Sequence, residues 1–441
     1  MCTASADEWP VRRQVTHAAY GHILTNVNVW SPDGKWIVYD VRSDPAGSRF
    51  DGTRIERVNA ATGKVELLYE VPSSAHCGVV TCSPTDDRIV FIHGPVAPTP
   101  DWQYCAYHRR GVLLAMSRPG MIRNLDAREL VAPFIPGALR GGTHVHVFSP
   151  DGQWVSHTYE DHVLAMLGDA GEHDLNQRNI GVSVPVRSVR VRRDHPRNHD
   201  GTFFTVLATR TVNHARPGSD EIERAFSDAW VGRNGYRRAD GKWQKRAIAF
   251  LGNVRNDNGQ LATELFIVDL PDDVTRPGDG PLAGTSTRRP MPPRGTVQRR
   301  LTYTTNRRYP GIQGPRHWPR SNPEGTSIAF LMKDADGIVQ LWTVAPTGGV
   351  PRQLTRNQFG IASAFTWSPD GKWIAHLMDG SVCVTDAATG TTRRLTPRCK
   401  SPWQPRPEAC VFSPDGRSIA YVCPVQQQGK TWNQIFVVNL D

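Results

Sequence analysis

The sequence predicts an all-β protein built as a single seven-bladed β-propeller, with the ring closed by its own N-terminal strand. Three observations predict it. A Ser-Pro-Asp-Gly phrase recurs at blade-like intervals, short alternating runs flank each copy, and an incomplete last repeat is matched by a complementary phrase near the start.

The phrase occurs as Trp30-Ser-Pro-Asp-Gly-Lys-Trp36, Cys82-Ser-Pro-Thr-Asp-Asp, Phe148-Ser-Pro-Asp-Gly-Gln-Trp154, Trp367-Ser-Pro-Asp-Gly-Lys-Trp373 and Phe412-Ser-Pro-Asp-Gly-Arg, with a weaker copy at Ser321-Asn-Pro-Glu-Gly. Runs such as Ile37-Val-Tyr39 and Ile374-Ala-His376 follow it, which reads as strand, tight turn, strand. Proline presets φ for the turn, and Asp-Gly supplies a polar side chain and the positive φ that tight hairpins need.

In the better copies two more strands follow, as in Gln340–Val344 then Pro351–Thr355, and Val382–Thr385 then Arg393–Thr396. Four antiparallel strands make one blade. The turn prolines at 323, 369 and 414 are 46 and 45 residues apart, close to a blade period of roughly 40–50 residues. Earlier gaps are longer, 52 residues from 32 to 84 and 66 from 84 to 150, where loops have grown.

Between Pro150 and Pro323 a degenerate fourth copy is expected, with strands at Phe203–Thr211, Arg246–Leu251, Glu264–Leu270 and Val297–Thr302. Insertions at about 213–243 and 272–296 interrupt it within a single domain spanning 1–441. The first holds Ser219–Phe226, which reads as a capped helical turn. This gives seven blades and leaves six or eight open. The last repeat stops at Gln434–Leu440, and Arg12-Arg-Gln-Val-Thr16 matches the fourth-strand phrase Arg352-Gln-Leu-Thr355. The first strand therefore completes the last blade and removes an open sheet edge.

No stretch approaches the eighteen or so apolar residues that span a bilayer. Met1 to Pro10 carry no basic cluster followed by an apolar run, so the cytoplasm is the expected location. The eight cysteines lack a Cys-x-x-Cys pair and read as reduced core residues. The net charge of +10 rests on 44 arginines against 8 lysines. The densest basic stretch, Arg187 to Arg197, alternates with Val189 and Val191 as a solvated strand edge would, without the interleaved aromatic platform of a nucleic-acid surface.

Propeller chemistry sits where the innermost strands meet. Aligned on the turn serine or its equivalent, His144, His317 and Glu408 stand five positions before it and His146 three before. Strict alternation puts both depths on one strand face. Three imidazoles and a carboxylate form a ligand set for a divalent metal, manganese, zinc or iron, with open positions for a substrate; each histidine can equally be a hydrogen-bonded group around a wet channel. Further polar candidates are His76, His93, His108, Arg109, Arg140, Glu160, Asp161 and His162, which make blades 2 and 3 the expected wall of an active site, with His162, His76 and Arg140 as its catalytic candidates.

With its repeated Ser-Pro-Asp-Gly turn the chain resembles the TolB-type propellers over about residues 12–440. The phrases Arg54–Asn59, Gly141–His146, Pro217–Ile222, Glu264–Leu270 and Arg316-His-Trp318 are similar to a bacterial propeller family typified by YidR. A looser similarity is to oligogalacturonate lyase, a propeller enzyme with a metal held by histidines in its central channel. That likeness supports His144 and His146 as ligands; the glutamine that accompanies them in the lyase, three residues before the first histidine, is Gly141 here.

Two function classes follow. One is a metal-dependent lyase performing β-elimination on a uronide or oxidised sugar, with the metal holding a carboxylate or keto oxygen while a base takes the acidified proton. The other is a non-catalytic TolB-like propeller that binds a protein or small-molecule ligand. Gly-x-Ser-x-Gly, phosphate-loop and dinucleotide fingerprints are absent, which sets aside serine peptidases and nucleotide chemistry.

Overall fold

In a computed structural model, which describes residues 9–44, 47–72, 74–168, 175–315 and 318–440, the strands form seven four-stranded antiparallel sheets. Blade 1 contains Gly21–Ile23, Trp36–Arg42, Arg54–Asn59 and Val65–Glu70; blade 2 contains Cys77–Cys82, Arg88–His93, Arg110–Ala115 and Arg123–Asn124. Blade 3 contains Gly141–Phe148, Val155–Asp161, Asn179–Val184 and Phe204–Leu207. Blades 5 and 6 follow the repeat over Arg320–Gln353 and Thr366–Arg394. In blade 7, Cys410–Phe412, Ser418–Gln427 and Lys430–Asn439 are joined by Arg12–Gln14, which pairs with Phe436–Val438. The predicted closure is therefore present. Val15 is buried beside it and Thr16 Oγ1 accepts the Ile435 N–H at 2.8 Å.

The recurring phrase builds one local structure. Ser31 Oγ donates to Asp33 Oδ1 at 2.6 Å and accepts the Trp36 N–H at 3.0 Å, while Gly34 takes φ 68°. The same bonds recur at Ser149, Ser368 and Ser413. A tryptophan at the end of the innermost segment, before the turn serine in blades 1 and 6 and before Val231 in blade 4, ties neighbouring blades together. Trp30, Trp230 and Trp367 each donate the indole N–H to an innermost-strand carbonyl of the preceding blade, at Val411, Val147 and Arg320.

Blade 4 differs from expectation. Phe204–Leu207 is the outermost strand of blade 3, paired with Gly181–Val184. The innermost strand of blade 4 is Ala225–Trp230, followed by Ala247–Arg255, Leu261–Asp269 and Val297–Arg300. Residues 219–226 hold no helical turn, and the strand Ala225–Trp230 begins where one was expected. Its burial against blade 3 overrides the local helix signal, because Ala225, Phe250 and Phe266 share a core with Val182 and Phe204. The one helix among the described residues is His162–Gly168.

The basic stretch is also corrected. Residues 187–197 form a loop with a single bridge, Val189 to Gly201, rather than a strand edge. Its arginines are engaged: Arg192 bonds Glu129 Oε1 and the carbonyls of Val131 and Pro133, and Arg197 bonds the carbonyls of Val96 and Ala97. The described cysteines are all free thiols, most of them buried. Among the described residues no helix is long and apolar enough to cross a membrane.

Candidate functional site between blades 2 and 3

An antiparallel blade puts its first turn at one face of the ring and the connection between its second and third strands at the other. In blade 2 that connection runs from His93 to Arg110, and in blade 3 from Asp161 to Asn179, opening with the helix His162–Gly168. These two neighbouring connections carry the candidate site.

Its centre is Trp102, which is buried at 6% exposure. His108 stacks on it with ring centroids 3.6 Å apart, and His162 and His195 lie at 4.8 and 6.2 Å. The guanidinium carbons of Arg128 and Arg197 each sit 5.6 Å from the ring centre. Three imidazoles and two cations thus share one indole, the aromatic best suited to hold a cation over its face.

Proton positions in this cluster follow from its partners. His108 Nδ1 lies 2.8 Å from the Gln103 carbonyl, which only accepts, so Nδ1 carries the proton. Burial holds His108 and His162 at a pKa of about 4, so both are neutral near pH 7. His108 Nε2 is then a lone pair. It lies 3.1 Å from His162 Nδ1, which must donate. The remaining nitrogen of His162, Nε2, is consequently unprotonated and makes no hydrogen bond among the described residues, on a half-buried side chain. That is the state a general base requires.

The other expected residues have different fates. Arg140, with 0% exposure, is locked: Nε and Nη2 donate to Asp161 Oδ2 at 3.0 and 2.6 Å, and Nη1 bonds the Thr285 carbonyl in the second insertion. Its own carbonyl accepts the His162 N–H at 3.0 Å, so it positions the helix start. His76 precedes the innermost strand of blade 2, half-buried, with its carbonyl bonded by Gly94 N–H. Glu408, half-buried, lies just before the innermost strand of blade 7, and His317 falls outside the described residues.

His144 and His146 do not share a strand face. Val145 takes φ 54°, and the pairing with the second strand slips between His144 and Val147, so two residues oppose one. The same bulge recurs at Val79 and Ser227 in blades 2 and 4. His144 Nδ1 bonds Thr158 Oγ1 at 3.0 Å. His146, fully buried, bonds Thr143 Oγ1 at 3.0 Å and points at Gly111 of blade 2, where an added Cβ would stand 2.5 Å from its Nε2. Among the described residues no three His, Cys, Asp or Glu side chains are grouped to hold a metal ion. The pair therefore does not fit the expected metal centre: one imidazole is packed between blades and takes a hydroxyl partner.

Two features escaped the sequence reading. Trp102 and Arg128 carry no motif; the available signal was the aromatic run Trp102-Gln-Tyr-Cys-Ala-Tyr-His108 in a lengthened connection. At the opposite face, a central cavity of about 470 Å³ is ringed by the recurring turns and lined by Asp228 and Arg320. Asp228 is 2% exposed, and burial pushes its pKa up to about 6. It was missed because the innermost strand of blade 4 was assigned elsewhere.

Comparison with known proteins bears on this face. The uncharacterized protein YidR of Escherichia coli (strain K12) is 46% identical over 424 residues, covering 95% of this chain and 96% of that protein. A family model described as "Protein of unknown function (DUF3748)" matches residues 76–199, the stretch that holds Trp102, His108, Arg128, His162, His195 and Arg197. Among solved structures, oligogalacturonate lyase in complex with manganese is similar with a TM-score of 0.55 at 12% identity, covering 99% of this chain and 94% of that one. A puromycin hydrolase is similar with a TM-score of 0.54 at 13% identity over 96% of this chain and 52% of that one. At these identities the likeness to the solved structures is one of fold.

Proposed function

This chain belongs to the YidR family of β-propellers, and we propose, from the geometry of its site, that it is a carbohydrate-active lyase working at the mouth between blades 2 and 3. The observation that carries the reading is the relay from the Gln103 carbonyl through His108 to His162, which leaves His162 Nε2 as an unprotonated base next to Trp102, whose ring also carries Arg128 and Arg197. The substrate class is an anionic sugar, a uronide or an oxidised glycoside. In the proposed step His162 Nε2 takes the proton from the carbon next to the sugar carboxylate. The C–H electron pair becomes a carbon–carbon double bond, the bond to the β-oxygen breaks, and that oxygen departs with its electron pair. The arginines offset the negative charge that develops on the carboxylate, which is where preorganised cations act most strongly. No step runs through a metal, because His144 and His146 face different partners.

The test is absorbance of the unsaturated sugar product across a panel of uronides and oxidised glycosides, with wild-type protein and His162→Gln, each with and without chelator. The reading expects a wild-type signal that survives the chelator and falls by about 10²-fold or more in the variant, the usual contribution of a positioned base. A flat trace from wild type on the whole panel sinks it.

A second reading, a non-catalytic binding propeller, is favoured by the cavity at the opposite face, whose rim carries Trp30, Trp230 and Trp367 with the turn prolines. Under it a ligand docks over the channel, and substitution of His162 leaves binding unchanged.

A further inference from the structure

Behind Trp102 lies a second, smaller cavity of about 130 Å³, room for roughly four waters at about 30 Å³ each. Its wall includes Trp102, His108, Arg110, Arg128, Arg197 and His199, and among the lining residues there is no carboxylate. Three guanidinium groups thus face a space with no anion of the protein in its wall.

The bonding of these groups is incomplete. Arg128, 3% exposed, is held in place by Nε on the Gly141 carbonyl at 3.0 Å and Nη2 on the carbonyls of His108 and Arg109 at 3.1 and 2.5 Å, which leaves Nη1 without a partner. Arg110 stands on the third strand of blade 2; its Nε is buried and unbonded, and no carboxylate lies within ion-pair distance of its guanidinium among the described residues. His199 Nε2 is likewise buried without a partner. Arg197 bridges to the carbonyls of Val96 and Ala97 and to Thr99 Oγ1, closing the wall from outside. Asp126 lies outside the wall and attracts Arg110 and Arg128 electrostatically, with Oδ1 taken by the Gly111 N–H and Thr143 Oγ1 and Oδ2 buried without a hydrogen bond. A protein tolerates a buried cation when something pairs with it. Here one carboxylate outside the wall serves two of the three guanidinium groups, and the space that all three line has the size and sign for a small oxyanion.

We propose that this cavity is a binding site for a small oxyanion, a carboxylate or phosphate group, held by Arg110 and Arg128 and capped by Arg197. The site shares Arg128 and Arg197 with the elimination proposed at His162, and its test is one of binding and not of turnover.

Titration calorimetry with inorganic phosphate and, separately, with acetate tests it, using the full chain exchanged into a buffer of non-coordinating anions. Wild-type protein is expected to bind one equivalent of at least one of the two. Arg110→Gln should weaken that binding by about tenfold or more, the loss of one or two charge-assisted hydrogen bonds. Phosphate alone binding assigns a tetrahedral anion, and acetate alone a carboxylate. Thermal unfolding in the same buffer guards against a folding defect, with a cooperative melt showing that Arg110→Gln is folded, and Arg197→Ala provides a second loss-of-binding variant at the rim. Heat from neither anion overturns the proposal, as does equal affinity in wild type and both variants.

Discussion

His108 Nε2 and His162 Nδ1, separated by 54 residues in the chain, lie 3.1 Å apart and join equivalent connections of two adjacent blades. This contact sets the proton on each ring, and so decides which nitrogen of His162 is available for chemistry.

Both imidazoles should therefore be neutral and protonated on Nδ1 at pH 7. Nitrogen shifts of histidine-labelled protein, assigned with His108→Gln and His162→Gln, read this directly. Burial lowers both folded-state values to about 4 from an ordinary 6.5, so the unfolded chain takes up protons first as pH falls. Stability contributed here is complete above about pH 6.5 and drains away toward pH 4. Titration of either ring near 6.5, or protons on Nε2, would contradict the relay.

Asp228 carries the opposite sign. Its folded-state value is raised to about 6, so between about pH 4 and 6 the folded protein holds a proton that the unfolded chain has released. Its contribution is present at acid pH and lost as pH rises through 6. Asp228→Asn should gain on wild type by about 3 kcal/mol between pH 4 and 7, at 1.36 kcal/mol per pH unit. Denaturant melts at the two pH values, compared as a difference, check it; a constant difference refutes it.

Arg140 acts through position and not through contact with a substrate. Arg140→Met leaves Asp161 buried and uncompensated, with an expected cost of about 3–5 kcal/mol. Adding Asp161→Leu should recover part of that loss, because the pair is then removed together. Urea unfolding of the two variants measures this, and a double variant weaker than the single one would show that Asp161 has other essential partners.

The indole clamps are predicted to act independently. Trp30→Phe, Trp230→Phe and Trp367→Phe each remove one N–H to carbonyl bond between blades while keeping an aromatic ring, for about 1 kcal/mol apiece. A triple variant should lose close to the sum. Urea midpoints provide the comparison.

Ring closure depends on a three-residue strand. Val15, 1% exposed, follows it, and Val15→Ala should cost roughly 2 kcal/mol while Val15→Asp unseats the closing strand. Limited proteolysis reports the second effect as early cutting within the first twenty residues. Unchanged resistance in Val15→Asp would mean that blade 7 holds without its fourth strand.

Much of the fold was legible because its information is local. Ser31, Asp33 and Gly34 form the turn from bonds within six residues, and each complete copy repeats them. Blade 4 was misread because its innermost strand, Ala225–Trp230, lacks the phrase and lies in a stretch with a competing helix signal. The metal alignment went astray at Val145. A bulge is invisible to residue counting, and one extra residue redirects every side chain beyond it.

The sequence by itself pointed to seven blades and to the closing strand, since repeats, turn chemistry and edge pairing are written in short phrases. Tertiary structure alone decided which groups meet between blades 2 and 3. It seated Trp102 among His108, His162, His195, Arg128 and Arg197, parted His144 from His146, and left Arg110 Nε buried without a hydrogen bond. The physical reason is that hydrogen bonds and burial between loops of different blades depend on how the ring closes, and no local pattern encodes that distance.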